Sequence, residues 1–236
     1  AQEHLKTLNP DAHLEVYGQE LNPETWAICR SDMLIKGEDP DNIVLGNSFT
    51  ADGFGTQRFD YLLANPPFGV DWKVQREAVE KERDRDGDAG RFAAGLPPVN
   101  DGSMLFLQHL VSKIHPVAEG GGRTAIVLNG SPLFTGGAGS GPSEIRRWLL
   151  ENDLVEAIIG LPLNLFYNTG IATYVWVLSN RKPEHRRGKV QLIDATQWLR
   201  PLRKNLGKKN CELSEDDLKR ICDTFLTFEE SEQSRI

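Results

Sequence analysis

Asn65, Pro66, Pro67 and Phe68 follow the apolar run YLLA in the stretch LLANPPFG, and these four residue types at this spacing suit one kind of chemistry. The Asn65 carboxamide oxygen and the carbonyl of a rigid Pro66 can both accept hydrogen bonds from a single exocyclic amino group. In adenine the lone pair of that amino group is delocalised into the ring, and two aimed acceptors favour the localised form that can attack an electrophilic methyl group. Phe68 offers an aromatic face on which a base extracted from a duplex can stack. The tetrapeptide also reads as a proline-stiffened strand end with a buried phenylalanine, since proline cannot donate to a sheet ladder and pushes the preceding residue towards an extended conformation.

Such residues need a frame that presents strand ends. Seven short apolar runs, several rich in β-branched residues, predict strands: LEVYGQE (14–20), NIVLGNS (42–48), FDYLLAN (59–65), RTAIVLN (123–129), LVEAIIGL (154–161), ATYVWVLS (172–179) and KVQLIDA (189–195). Helix signals lie between them. Asn22 can cap a helix that opens at Pro23, carries Trp26, Cys29 and Met33 on one face and stops at Gly37. A second runs from Ser103 to His115 before Pro116, and a third starts at Pro142 with Ile145, Trp148 and Leu149 inward. Alternating strands and helices predict an α/β fold with a mostly parallel sheet and helices on both faces. In such sheets ligands sit beyond the carboxyl ends of the strands, where Glu20, Asn47, Ser48 and Asn65 all fall. Glu20 equally suits a cap for the helix at Pro23. After Ala195 the pattern changes to a basic loop, then to Ser214 and Asp217 at capping-box spacing, with Leu218, Ile221, Cys222 and Phe225 at helical spacing. We place a boundary near 181, dividing a catalytic part, 1–180, from a segment, 181–236, with a further strand and a carboxyl-terminal helix.

The 236 residues are 39% hydrophobic, enough for a real core, and no apolar run approaches membrane-spanning length. We expect a cytoplasmic, soluble protein. Cys29, Cys211 and Cys222 lack paired ligand spacing, which points to neither a disulfide framework nor a metal site. A formal charge of −7 argues against a surface uniformly attractive to nucleic acid. The distribution is uneven, however: residues 181–210 hold ten Lys or Arg against two Asp or Glu, which fits a solvated segment or a polyanion contact equally. Residues 71–91, with seven acids and six bases, predict a solvent-facing loop.

Taken in order, YGQELNP, LGNSF, FDYLLANPPFG, GSMLFLQHLVSKI, GGRTAIVLNGSPLF and IIGLPLNLFYNTGIATYVWVLS resemble the successive motifs of amino-group DNA adenine methyltransferases, specifically the modification subunits of type I restriction-modification systems. The likeness continues through LSEDDLKRICDTF at 213–225. NPPF is shared with other amino methylators, whereas LPLNLFYNTGIATYVWVL is far more particular. The resemblance implies a Rossmann-like methyltransferase fold, S-adenosylmethionine as cofactor, and double-stranded DNA, a specificity subunit and a restriction subunit as partners. By it, Asn65, Pro66, Pro67 and Phe68 hold the target base, Glu20 binds the ribose hydroxyls of the cofactor, Asn47 meets its adenine, and Ser48 and Asn65 complete the cofactor set. The family has Asp where Asn47 stands, and it places a strand and a glycine-rich turn before the helix that precedes YGQE. The chain begins at what resembles that helix, so the first strand and its turn are expected to be missing; GGG at 120–122 and GGAGSG at 136–141 do not follow a first strand. Two other readings are a non-catalytic module that keeps the fold, and methylation of an RNA base or a protein amide.

Overall fold

In the computed structural model, which describes residues 2–167 and 169–236, every predicted apolar run becomes a strand. The chain divides into two compact units, one up to Thr56 and one from Gln57 onward. In the first, α1 (Gln2–Leu8) precedes β1 (Gly18–Glu20), α2 (Pro23–Lys36) and β2 (Ile43–Leu45), and the two strands pair in parallel with Glu20 opposite Leu45. The signals for α2 act as read. Asn22 Oδ1 accepts from the Glu24 and Thr25 amides at 2.9 and 3.1 Å, and Gly37 ends the helix at φ 74°, a left-handed conformation that favours glycine. Met33 is buried, and Trp26 Nε1 donates to Ile43 O at 2.8 Å, tying α2 to β2.

The second unit holds β3 (Tyr61–Ala64), α3 (Arg76–Asp86), α4 (Ser103–Ser112), β4 (Arg123–Asn129), α5 (Ser131–Phe134), α6 (Gly141–Glu151), β5 (Val155–Gly160), β6 (Thr173–Ser179), β7 (Gln191–Asp194), β8 (Arg200–Leu206), β9 (Lys209–Glu212), α7 (Glu215–Thr227) and β10 (Ser234–Arg235). Six strands form one sheet in the order β10-β7-β5-β6-β4-β3. The strands β3, β4, β5 and β7 run one way, while β6 and β10 run against them. The sheet is therefore mostly parallel, as expected, and β3 is an edge.

Both faces of this sheet are covered, because its strands alternate inward side chains. On one face Ile126, Leu128, Trp176 and Leu178 pack with Met104 and Leu107 of α4 and with Ile145 and Leu149 of α6. Val177, Ala157, Ile159 and Ile193 face the other way, into a cluster with Leu161, Leu165, Trp198 and Cys211 that Ile221 and Phe225 of α7 cover. Leu107, Leu128 and Leu149 are fully buried, each worth about 1.5–3 kcal/mol in transfer from water. Close packing also fixes Gly141 at the start of α6, where a Cβ would stand 1.8 Å from Leu96 O.

Two expectations are corrected. Residues 71–91 do not form a loop, since α3 occupies most of them. Its charges alternate at helical spacing, so that Arg76–Glu80 and Glu77–Lys81 pair at 2.8 and 2.6 Å, while Val79 is buried beneath them. Arg91, only 7% exposed, pairs with Glu82 at 2.5 Å and holds the segment down. The basic stretch after Ala195 is likewise structured, as the antiparallel hairpin β8–β9. The Ser214 capping box forms as read, with both reciprocal bonds to Asp217. Beyond residue 181 the chain adds β7 and β10 to the six-stranded sheet, and Gln191 Nε2 donates to Ser234 Oγ at 3.0 Å where β10 closes the β7 edge.

Much of the positive charge in 181–210 is used internally. Lys182, nearly fully buried, bonds Asp153 at 2.5 Å and Lys189 O at 2.8 Å. The buried Arg186 guanidinium lies between the rings of Phe225 and Phe228, 4.3 and 4.2 Å from their centroids, and shares buried Glu156 with Arg123. No helix among the described residues is long and apolar enough to cross a membrane.

Candidate active site

At the carboxyl end of β3 the chain turns through Asn65–Pro66–Pro67–Phe68 and leaves at Gly69, whose φ of 66° again needs the glycine backbone. Pro66 is buried and locks the turn from within, whereas Asn65 is exposed and its carboxamide has no hydrogen-bond partner among the described residues. An amide acceptor is thus left free beside a rigid, buried proline. Phe68 is half-buried, and its ring meets that of Phe166 edge to face, at 6.2 Å between centroids and 76° between planes. Pro67 is exposed on the outer side of the turn.

Phe166 had no assigned role in the sequence. It sits in the loop between β5 and β6, in the block LPLNLFYNTG, and the only local signal was an aromatic residue in a loop leaving a strand end. Asn168 of the same block lies outside the described residues. Leu161 and Leu165 bury the root of this loop, and Thr173, where it rejoins the sheet, stands opposite Asn129 of β4. The Thr173 hydroxyl is buried with no hydrogen-bond partner among the described residues, an open polar group at the same end of the strands.

The segment after the turn is fixed by main-chain and side-chain bonds. Gly102 N donates to Val70 O at 2.8 Å, Trp72 N to Val99 O at 2.8 Å, and Trp72 Nε1 to Pro98 O at 2.9 Å, with the Trp72 ring buried. These bonds tie the exit of the turn to the start of α4, where Asp101 Oδ1 accepts from Ser103 N at 3.0 Å.

In the first unit, the parallel pairing of β1 with β2 puts Glu20 beside the start of the 46–53 loop, where Gly46 N donates to Glu20 O at 2.9 Å. One Glu20 carboxylate oxygen accepts from Asn22 N at 2.7 Å, which steadies the residue that caps α2; the other has no partner among the described residues. Both readings of Glu20 therefore have a physical basis: it braces the cap and still presents an oxygen. Asn47 Oδ1 accepts from Phe49 N at 2.9 Å, an Asx turn that fixes its side chain, and Ser48 follows it on the same loop. Gln19 holds the far side, donating to Ala51 O at 2.7 Å and accepting from Gly53 N at 3.1 Å. The structure thus brings Glu20, Asn47 and Ser48 to one end of the β1–β2 pair, and Asn65, Pro66 and Phe68 to one turn with Phe166. Among the described residues no cluster of His, Cys, Asp or Glu could hold a metal ion.

The type I restriction enzyme MjaIX methylase subunit of Methanocaldococcus jannaschii is 30% identical to this chain over 220 residues, covering 93% of this chain and 37% of that protein. The HindI methylase subunit of Haemophilus influenzae is 31% identical over 221 residues, again 93% of this chain and 45% of that protein. Among solved structures, the methyltransferase subunit of a type I restriction-modification system from Streptococcus thermophilus matches with a TM-score of 0.76 at 26% identity, over 93% of this chain and 43% of that one. The chain spans less than half the length of these relatives. The sequence profile described as N-6 DNA methylase matches residues 1–235, and the chain belongs to that family.

Proposed function

We propose that this chain is the catalytic part of a type I modification subunit and methylates the amino group of adenine in double-stranded DNA. The observation that carries this reading is the exposed, uncommitted carboxamide of Asn65 on a turn locked by buried Pro66, with the Phe68–Phe166 pair beside it. S-adenosylmethionine, when bound, supplies an electrophilic methyl group. The residues fit such a cofactor: Glu20 retains one open carboxylate oxygen for a ribose hydroxyl, and Asn47, with Ser48 beside it, stands at the same strand ends, where its side chain would meet the adenine of the cofactor. Asn65 Oδ1 and Pro66 O would accept hydrogen bonds from the two N–H groups of the target amino group, which draws the nitrogen lone pair out of the ring so that it can attack an electrophilic methyl group. The methyl–sulfur bond would break as the nitrogen–carbon bond forms, and the nitrogen would then lose one proton to solvent. Pro67 keeps the backbone of the turn from rotating away, and Phe68 stacks on the extruded base.

The family and the type I names of its relatives support the same reading. They also support DNA, a specificity subunit and a restriction subunit as partners, and work in the cytoplasm, where the DNA lies. Because a separate specificity subunit reads sequence, the test uses the complete subunit with that partner and S-adenosylmethionine labelled in its methyl group, supplied together with duplex DNA, RNA and protein as competing acceptors. Label recovered as N6-methyladenine after nuclease digestion is expected. Label recovered only in RNA or in protein amides, or no transfer at all, would refute the assignment and leave the other methylation reading or a non-catalytic module respectively.

A further inference from the structure

Seven of the ten cations in 181–210 are committed to partners in the fold: Arg181, Lys182, Arg186, Arg187, Lys189, Arg200 and Lys209 bond carbonyls or acids or cover aromatic rings. Arg203, Lys204 and Lys208 do not. All three are exposed on the β8–β9 hairpin and pair with no acid among the described residues. The hairpin is irregular, since the register slips between the pairs Pro201–Cys211 and Leu206–Lys209, so that the segment of β8 holding Arg203 and Lys204 bulges out of the ladder. Lys208 lies at the tip beside Gly207, which takes a φ of 64°.

The base of the hairpin is fastened to the loop that carries Phe166. Lys209 Nζ donates to Leu165 O at 2.9 Å, Asn210 N to Asn164 O at 3.1 Å, and Cys211 Sγ to Leu163 O at 3.2 Å. Lys209 also stands 5.6 Å from the centroid of exposed Tyr167. From Phe68 through Phe166 to the hairpin there is thus one continuous packed and hydrogen-bonded path. The Arg200–Glu212 pair closes the hairpin's base, leaving its three unpaired cations beyond it.

We propose that the β8–β9 hairpin is a phosphate clamp, in which Arg203, Lys204 and Lys208 contact the DNA backbone next to the base held at Phe68. The inference rests on the methylation reading above. The occupant follows from charge: on a chain with a formal charge of −7 these cations have no acid partner among the described residues, and the hairpin that carries them is bonded to the loop whose Phe166 meets Phe68. An exposed trio of cations on a bulged segment suits contacts to phosphates, which set register and affinity without adding sequence preference.

The test compares the complete subunit, in its complex with the specificity subunit, with the variant R203Q/K204Q/K208Q. Duplex binding is measured by fluorescence anisotropy across a salt series, alongside calorimetric titration with S-adenosylmethionine and the labelled-methyl assay. The clamp predicts that the slope of log affinity against log salt becomes shallower by about 2–3, near 0.9 for each lost phosphate contact, with cofactor affinity and melting temperature unchanged. Lys208→Gln alone should remove about one third of that change, and Lys219→Gln on α7 none. An unchanged slope in the triple variant overturns the clamp, even if the wild type methylates adenine. So does an unchanged slope with weaker assembly onto the specificity subunit, which would make the hairpin a protein contact. A shallower slope in a complex that transfers no methyl group keeps the clamp and overturns the reaction assigned to the site.

Discussion

Asn65 is the residue on which the proposed chemistry turns, and its surroundings isolate its effect. Because the carboxamide bonds nothing within the described structure, Asn65→Ala removes no internal support. In the complete subunit it should lower single-turnover methylation by about 100-fold or more, the scale of one aimed transition-state group, while S-adenosylmethionine affinity by calorimetry stays near wild type. Glu20 is different, since its carboxylate braces Asn22 as well as presenting an open oxygen. Glu20→Gln keeps an acceptor for Asn22 N, so the melting temperature should hold while the cofactor dissociation constant rises about 10-fold, the loss of one charge-assisted bond. A lowered melting temperature with unchanged cofactor affinity would make Glu20 a cap residue alone. The sequence showed Asn65, Pro66 and Phe68 because proline after a strand leaves few conformations open to the chain. It did not show Phe166, because its approach to Phe68 joins residues far apart in sequence and depends on how the β5–β6 loop folds back.

Among the elements, α7 is held to the sheet by an unusual device: Arg186 enters between Phe225 and Phe228, bonds Phe225 O, and faces Glu156 together with Arg123. Burial drives the Arg186 pKa below its ordinary value while the Glu156 charge opposes that shift. Glu156→Gln leaves two cations near each other around a buried amide. It should cost about 3–5 kcal/mol, read as a reduced denaturant midpoint. A change under about 1 kcal/mol would mean that the arginines find other partners. The elements that were legible in sequence are those whose inward residues alternate or recur, such as β4 with Thr124, Ile126 and Leu128 buried in turn, or α2 with its cap, Pro23 and Gly37. The helix α3 was hidden because Val79 is its one buried residue and charge dominates the rest, and β8 because almost all of its side chains are exposed. Lys182 and Arg186 could not be told from surface cations, since their acids, Asp153 and Glu156, come from the turn before β5 and from the start of that strand, far away in sequence.

Across the whole molecule, acids that the fold holds ionised set the low-pH limit of stability. Burial raises the Asp153 pKa, but the Lys182 hydrogen bond, the Gly188 amide and the charges of Lys182 and Arg187 outweigh it, and the net shift is downward. The bonds from Thr196 lower Asp194 in the same way. A carboxyl whose folded pKa lies below its unfolded value stabilises the fold above the unfolded value and loses that contribution as pH falls through the folded one. Melting temperature should therefore be insensitive to these groups from pH 7 to about 5 and fall below about pH 4. In Asp153→Asn that acid limb should flatten while the plateau drops; an unaltered limb would assign the acid sensitivity elsewhere. The opposite edges of the six-stranded sheet differ in how they are made. β3 has no strand on its outer side among the described residues, whereas β7 is closed by β10, with Ile193 opposite Ser234. At roughly 5–20 residues per second, a ribosome that has just added Ile193 needs about 2–8 s to reach Ser234. During that interval the nascent sheet has bare hydrogen-bonding groups along β7, so a pause in translation ahead of Ser234 prolongs the time in which a neighbouring nascent chain can pair there in place of β10.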